Sequence, residues 1–227
     1  MTLYYQPLLQ MNRQRPDGAF RLGWCWFDQV VVRQRGAAPD IVSANDVPAS
    51  VIASLTEARR DIAGLTMDKP RIMGILNMTP DSFSDGGLFD APEAALARAR
   101  DMVAAGADIL DIGGESTRPG AVTVGNDAET ARTAPVIAAI RAGSGVPISI
   151  DTRKADVAEA ALVAGANLIN DVAAMTFDPA MADIAMKTGS PICLMHAQGD
   201  PATMQNNPTY DDVLLDVYDF LVARIAV

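Results

Sequence analysis

The 227-residue sequence has a single histidine, His196, and only two cysteines, Cys25 and Cys193, set far apart in apolar surroundings. That scarcity excludes a disulfide framework, a thiolate zinc site and a histidine-rich metal centre. Both thiols are expected to be buried. No run of 18 apolar residues occurs, so a membrane-spanning helix is excluded. Met1 to Pro16 carries neither a basic leader nor a continuous apolar stretch, and the expected location is the cytoplasm. Cations are the minority: 18 Lys and Arg against 28 Asp and Glu leave a net charge of −10, with no basic tract. An electrostatic footprint for nucleic acid or anionic lipid is therefore missing. No Ser or Cys nucleophile presents itself with a matched base. What is present is 49% hydrophobic, a globular composition able to bury roughly 70% of its unfolded surface.

Residues 1–70 hold both tryptophans and no repeated pattern. Alternation in Arg21 to Phe27 and the run Val30-Val31-Val32 predict one or two strands, with a hairpin around Asp28-Gln29. Val47 to Ile62 reads as a helix. This segment is an amino-terminal extension without evident chemistry.

From Arg71 a unit recurs: a short apolar strand, a polar residue at its end, a Gly- or Pro-containing loop, then an Ala-rich helix closed by glycine. The five strands are Ile72–Leu76 ending at Asn77, Ile109-Leu110 ending at Asp111, Ile148–Ile150 ending at Asp151, Leu168-Ile169 ending at Asn170 and Asp171, and Ile192–Met195 ending at His196. Each is nearly continuous in apolar character, as a parallel strand buried on both faces should be. Asp178-Pro179 reads as an N-cap followed by Pro at the first helical position. Pro135 should kink or restart the helix Thr130 to Ile140, and a last helix spans Tyr210 to Ile225.

Alternating βα units leave two α/β architectures, a doubly wound sheet or a closed (β/α)₈ barrel. Functional side chains at the ends of all five strands favour the TIM barrel, because an open sheet concentrates its ligand at one switch point. Five units cannot close an eight-stranded barrel, so a truncated barrel over 71–227 is expected, exposing a strand edge and apolar helix faces.

Asn77 offers a neutral, hard oxygen suited to Mg²⁺ that keeps several waters and takes other contacts from a phosphate; the alternative is an Asn satisfying loop backbone. The loop after it, Met78 to Gly87, reads as a mobile lid. Gly113 and Gly114 allow close backbone approach, and Arg118 is a fork suited to carboxylate or phosphate. Asp151 and the pair Asn170-Asp171 could read the edge of a heterocycle or stabilise positive charge on it; Asp151 could instead cap the helix starting near Lys154. His196 reads as structural, and Met195 and Met204 as packing.

Taken together, the blocks Ile75-Leu76-Asn77-Met78-Thr79-Pro80-Asp81-Ser82-Phe83-Ser84-Asp85-Gly86-Gly87 and Asp111-Ile112-Gly113-Gly114-Glu115-Ser116-Thr117-Arg118-Pro119-Gly120, with Asp151-Thr152, Asn170-Asp171 and Leu194-Met195-His196, resemble dihydropteroate synthases. The resemblance runs from Arg71 to about Asp212. It implies a TIM-barrel transferase of folate biosynthesis that joins 6-hydroxymethyl-7,8-dihydropterin diphosphate to 4-aminobenzoate with Mg²⁺ assistance, and a homodimer for full-length members. Carried over by position, Asn77 would bind metal and diphosphate, Asp151 and Asn170 would hold the pterin, and Asp111 would sit beneath the pocket. Met195 would also touch substrate. Phe83 and Asp85 belong to a first mobile loop and Thr117, Arg118 and Pro119 to a second; Asp151, Arg118 and Asp85 are the expected catalytic residues. The family's later motifs, an Asp-Pro-Gly strand end, a Ser-x-Lys strand end and an Arg-x-His clamp, have no counterpart before Val227, so this chain alone is expected to be inactive or nearly so. Two other readings are a pterin-binding module of a cobalamin-linked methyltransferase and a noncatalytic paralogue.

Overall fold

The computed structural model describes residues 2–12, 14–79, 91–116, 123–199, 203 and 207–227. The chain forms two compact units, one of Met1–Asp61 with Thr66–Pro70 and Asp212–Leu215, the other of Ile62–Leu65, Arg71–Asp211 and Asp216–Val227. No helix among the described residues is long and apolar enough to cross a membrane.

The first unit is built on antiparallel pairing. Strand β4 (Gln29–Arg33) lies between β1 (Tyr4–Pro7) and β5 (Asp40–Ser43), while β2 (Phe20–Leu22) pairs with β3 (Cys25–Phe27). The expected hairpin at Asp28-Gln29 is not formed, since β3 and β4 pair with different partners. The tight turn sits instead at Gly23-Trp24, where Leu22 faces Cys25 and Gly23 takes a φ of +58°. That left-handed backbone is what glycine accepts without strain. Phe27, Val30, Ala44, Val47 and Ile52 form this unit's core. Helix α1 (Ala49–Thr56) stops short of Ile62, because Glu57 to Asp61 offers little apolar surface to bury.

The second unit contains a five-stranded parallel sheet in the order β10 (Ile192–Leu194), β9 (Leu168–Asp171), β8 (Ile148–Asp151), β7 (Ile109–Gly113), β6 (Met73–Asn77). Spatial order follows chain order, so these strands contain no switch point of a doubly wound fold. Between them run α2 (Ala91–Ala104), α3 (Asn126–Gly143), α4 (Ala155–Ala164) and α5 (Ala180–Thr188); of the last helix, α6 (Val213–Ile225), the residues from Asp216 on belong to this unit. Leu76, Ile112, Ile150 and Ile169 stand on the helix side in one core with Val136, Ile137, Val157 and Met181. Each such buried aliphatic contributes about 2 kcal/mol relative to exposure. On the opposite side Met73 is 39% and Ile75 59% exposed. Parallel strands in chain order with helices packed on one face match the outer half of a barrel wall, whose other face in a closed barrel packs as the interior.

Helix ends follow the chemistry read from the sequence. The Asp178 carboxylate accepts from the Ala180 N–H while Pro179 already has helical dihedrals. Asp212 accepts from the Leu214 and Leu215 N–H groups, which starts α6 three residues later than Tyr210. Pro135 does not restart α3, which is one helix from Asn126 to Gly143. Thr133, Val136, Ile137 and Ile140 are buried on both sides of the proline, and that packing holds the two halves on the sheet.

Gly114 marks the tightest packing between sheet and helix. A Cβ there would lie 2.9 Å from Thr133 Cγ2, 3.0 Å from Glu129 Cγ and 3.1 Å from the Glu129 carbonyl oxygen. Gly114→Ala is therefore expected to destabilise the chain by about 2 kcal/mol through overpacking, measured by urea unfolding. Gly143→Ala, with nothing within 4 Å of the added carbon, serves as the neutral comparison; equal effects of the two substitutions would refute the account.

Candidate functional site

Parallel pairing in register sets partner residues on the same face of the sheet. Asn77 faces Gly113, Gly113 faces Asp151, Asp151 faces Asn170 and Asn170 faces Cys193. One row thus crosses all five strands at their carboxyl ends. A second row lies one step deeper: Ile75, Asp111, Ser149 and Leu168. The sequence placed Asp111 at a strand end, but β7 runs on to Gly113. Asp111 consequently sits below the first row and is only 4% exposed. Cys193 is exposed, against the expectation of a buried thiol, because it lies on the bare side of the edge strand β10.

Gly113 opens a gap in the upper row. The position its Cβ would occupy lies 3.3 Å from Asp151 Oδ2 and 3.6 Å from Asn77 Oδ1, so a side chain there would fill the space between the two. Asp151 does not cap a helix. The Ala155 N–H at the start of α4 donates to Asp178, and the Lys154 N–H donates to Thr152. Its Oδ1 is buried without a hydrogen-bond partner. Burial pushes the Asp151 pKa from 3.8 to about 7, helped by the negative charges of Asp111, Glu129, Asp171 and Glu115. Asp111 is also pushed up by burial, against the polar side chains of Ser149 and Asn170 beside it, the latter donating to its Oδ2.

Behind Asp151 four buried charges cancel. Lys154 bonds both Glu115 and Glu129, and Arg153 Nε and Nη2 lie 3.1 and 2.9 Å from Glu115 Oε1. Glu115 also accepts from the Val124 N–H at 2.7 Å, and Arg153 donates to Thr123 Oγ1 at 3.1 Å. Burial opposes the charge of Glu115, yet the bonds from Lys154, Val124 and Arg153 hold its pKa below the usual glutamate value. The Arg153 guanidinium lies 4.1 Å from the centroid of the Phe177 ring, a cation–π contact. Sequence reasoning passed over this cluster; the signal available was two adjacent cations, Arg153 and Lys154, beginning two residues after a strand-end Asp.

The remaining expected residues divide clearly. Asp171 turns toward its own loop, where it accepts from the Ala173 and Met175 N–H groups, so its role is structural. His196 packs edge-on against Phe220 at 4.9 Å and near Tyr210 at 5.7 Å. Met195, 41% exposed, follows β10 directly. Phe83, Asp85, Thr117, Arg118 and Pro119, like Met204, lie outside the described residues. Among the described residues no group of three or more His, Cys, Asp or Glu side chains could hold a metal.

Because burial raises the Asp151 pKa on folding, its protonated form stabilises the fold below the ordinary value near 3.8, and that stability is lost as pH rises through about 7. Asp151→Asn removes the loss. The thermal midpoint of the variant is expected to match the parent near pH 4 and to exceed it by several degrees at pH 8, as read from paired melts across that range. A difference independent of pH would contradict the assignment.

The sequence profile of the pterin binding enzyme family matches residues 73–227. A dihydropteroate synthase of Neisseria meningitidis is 53% identical over 162 residues, covering 70% of this chain and 56% of that protein. A Xanthomonas albilineans dihydropteroate synthase solved with 4-aminobenzoic acid superposes with a TM-score of 0.67 at 48% identity, over 75% of this chain and 60% of that one. The Xanthomonas albilineans enzyme solved with 7,8-dihydropteroate gives a TM-score of 0.61 at 44% identity, over 71% and 55%. The chain spans about half the length of the curated relatives it matches. With most of its length matched by the family profile and its strand-end row in place, the chain belongs to the pterin binding enzyme family.

Proposed function

We propose that the chain carries the pterin-binding wall of a dihydropteroate synthase. The reaction joins 6-hydroxymethyl-7,8-dihydropterin diphosphate to 4-aminobenzoate and gives 7,8-dihydropteroate and diphosphate. The observation that carries the reading is the row Asn77, Gly113, Asp151 and Asn170, in which Asp151 Oδ1 is buried with no hydrogen-bond partner among the described residues and the carboxylate flanks a gap left by glycine. The relatives solved with 4-aminobenzoic acid and with 7,8-dihydropteroate support it.

The bond between the pterin methylene carbon and the diphosphate oxygen breaks, and the aminobenzoate nitrogen forms the new bond to that carbon and releases a proton. Positive charge develops on the pterin as the diphosphate leaves. A carboxylate fixed in a partly buried site stabilises such charge more than water does, and the pterin cation in turn favours the ionised form of Asp151. Asn170 holds the ring by its carboxamide. Asn77 would hold Mg²⁺ through Oδ1, and the ion would neutralise charge on the departing diphosphate. Arg118 and Asp85 are read as catalytic, and Phe83, Thr117, Pro119 and Met195 as substrate-contacting, from the resemblance of their segments.

In fluorescence titrations with 6-hydroxymethylpterin, Asp151→Ala and Asn170→Ala are each expected to weaken binding on the order of tenfold, the scale of one charged or buried hydrogen bond. Asn77→Ala is expected to leave that affinity unchanged and to abolish the Mg²⁺-dependent gain seen with the pterin diphosphate. Unaltered pterin affinity in both row variants would refute the reading, and a persisting Mg²⁺ effect in Asn77→Ala would remove the metal assignment alone.

A further inference from the structure

The lower row explains how the upper one reads a ligand. Asn170 Nδ2 donates to Asp111 Oδ2 at 3.2 Å, although β8 lies between their strands. The residue of β8 level with Asp111 is Ser149, fully buried and small. A long side chain there would separate the carboxylate from the carboxamide; serine lets them meet. An amide has one donor end and one acceptor end, and either can be turned to a ligand. A carboxylate only accepts. Contact with Asp111 therefore fixes the Asn170 nitrogen inward, and no donor among the described residues reaches the Asn170 oxygen.

We infer that Asp111 is a positioning residue, which acts through Asn170 by locking its carboxamide so that Oδ1 faces the ligand. The row then selects a heterocycle edge that presents an N–H donor at that point and discriminates against one that presents an acceptor. A reversed Asn170 would leave the Asp111 carboxylate, already short of a partner at Oδ1, facing another acceptor. Buried acceptors set against each other without a proton are strongly disfavoured. The inference rests on the proposal that this row holds the pterin.

A double-mutant cycle on the 227-residue chain tests it, with 6-hydroxymethylpterin as probe. Asp111→Asn can donate or accept, so the lock is lost while size is kept. It is expected to weaken pterin binding on the order of tenfold in the parent background and to have no further effect in Asn170→Ala, because contacts that act through one residue are not additive. Gly143→Ala, with nothing within 4 Å of the added carbon, should bind as the parent does, and urea unfolding of each variant controls for folding. A second readout needs no ligand: one Asn170 side-chain amide hydrogen should exchange slowly with solvent in the parent chain and rapidly in Asp111→Asn. Equal losses from Asp111→Asn in both backgrounds would overturn the inference and leave the pterin reading intact, as would two rapidly exchanging hydrogens in the parent. Absence of pterin binding by the parent chain would overturn the reading and the inference together.

Discussion

Pairing of the strands in unbroken register is the constraint on which the rest depends. Because side chains alternate along a strand and parallel partners share a face, fixing Asn77 opposite Gly113 also fixes Asp151, Asn170 and Cys193. A slip of one residue in β8 would send Asp151 into the apolar layer and Ile150 to the site. The helix-side row Leu76, Ile112, Ile150 and Ile169 opposes that slip, since each of these residues is buried in one core. Packing on one face thereby sets chemistry on the other.

The same arrangement accounts for the unusual electrostatics. Asp111, Glu115, Glu129, Asp151 and Asp171 come together around the carboxyl ends of β7 to β9, with Arg153 and Lys154 as the cations between them. Those cations neutralise Glu115 and Glu129 by direct bonds and leave Asp151 without a positive partner. Burial first, and the surrounding carboxylates second, raise its pKa to about 7. The orphaned oxygens of Asp111 and Asp151 and the hydroxyl of Ser149 form a polar floor in an otherwise aliphatic sheet. Unpaired polar atoms are rare in protein interiors.

Strands and their order were legible in the sequence because buried parallel strands are short, apolar and bounded by polar residues, and all five were found within two residues of their expected bounds. Asn77, Asp151 and Asn170 of the upper row were legible as well, since each directly follows its apolar run, whereas Gly113 and Cys193 were not, because the second strand was ended at Asp111 and the fifth at His196. The depth of Asp111 was not: Ile112 and Gly113 continue a strand that sequence alone could equally end at the carboxylate. Nor was the Glu115 and Lys154 cluster, whose partners lie 39 positions apart. In the first unit the Gly23-Trp24 turn was missed because the alternation from Arg21 to Phe27 reads as one stretch, and the pairing of β4 with β1 and β5 rather than with β3 cannot be read from local sequence.

Chemical-shift mapping with 6-hydroxymethylpterin on the isotopically labelled chain tests the central claim most directly. The account predicts that the backbone amides of Gly113, Asp151, Thr152 and Asn170 shift together on titration while those of β1 to β5 and α1 stay unmoved. Shifts concentrated instead on the cleft between α2 and α3, lined by Leu96, Val103 and Ile140, would contradict it.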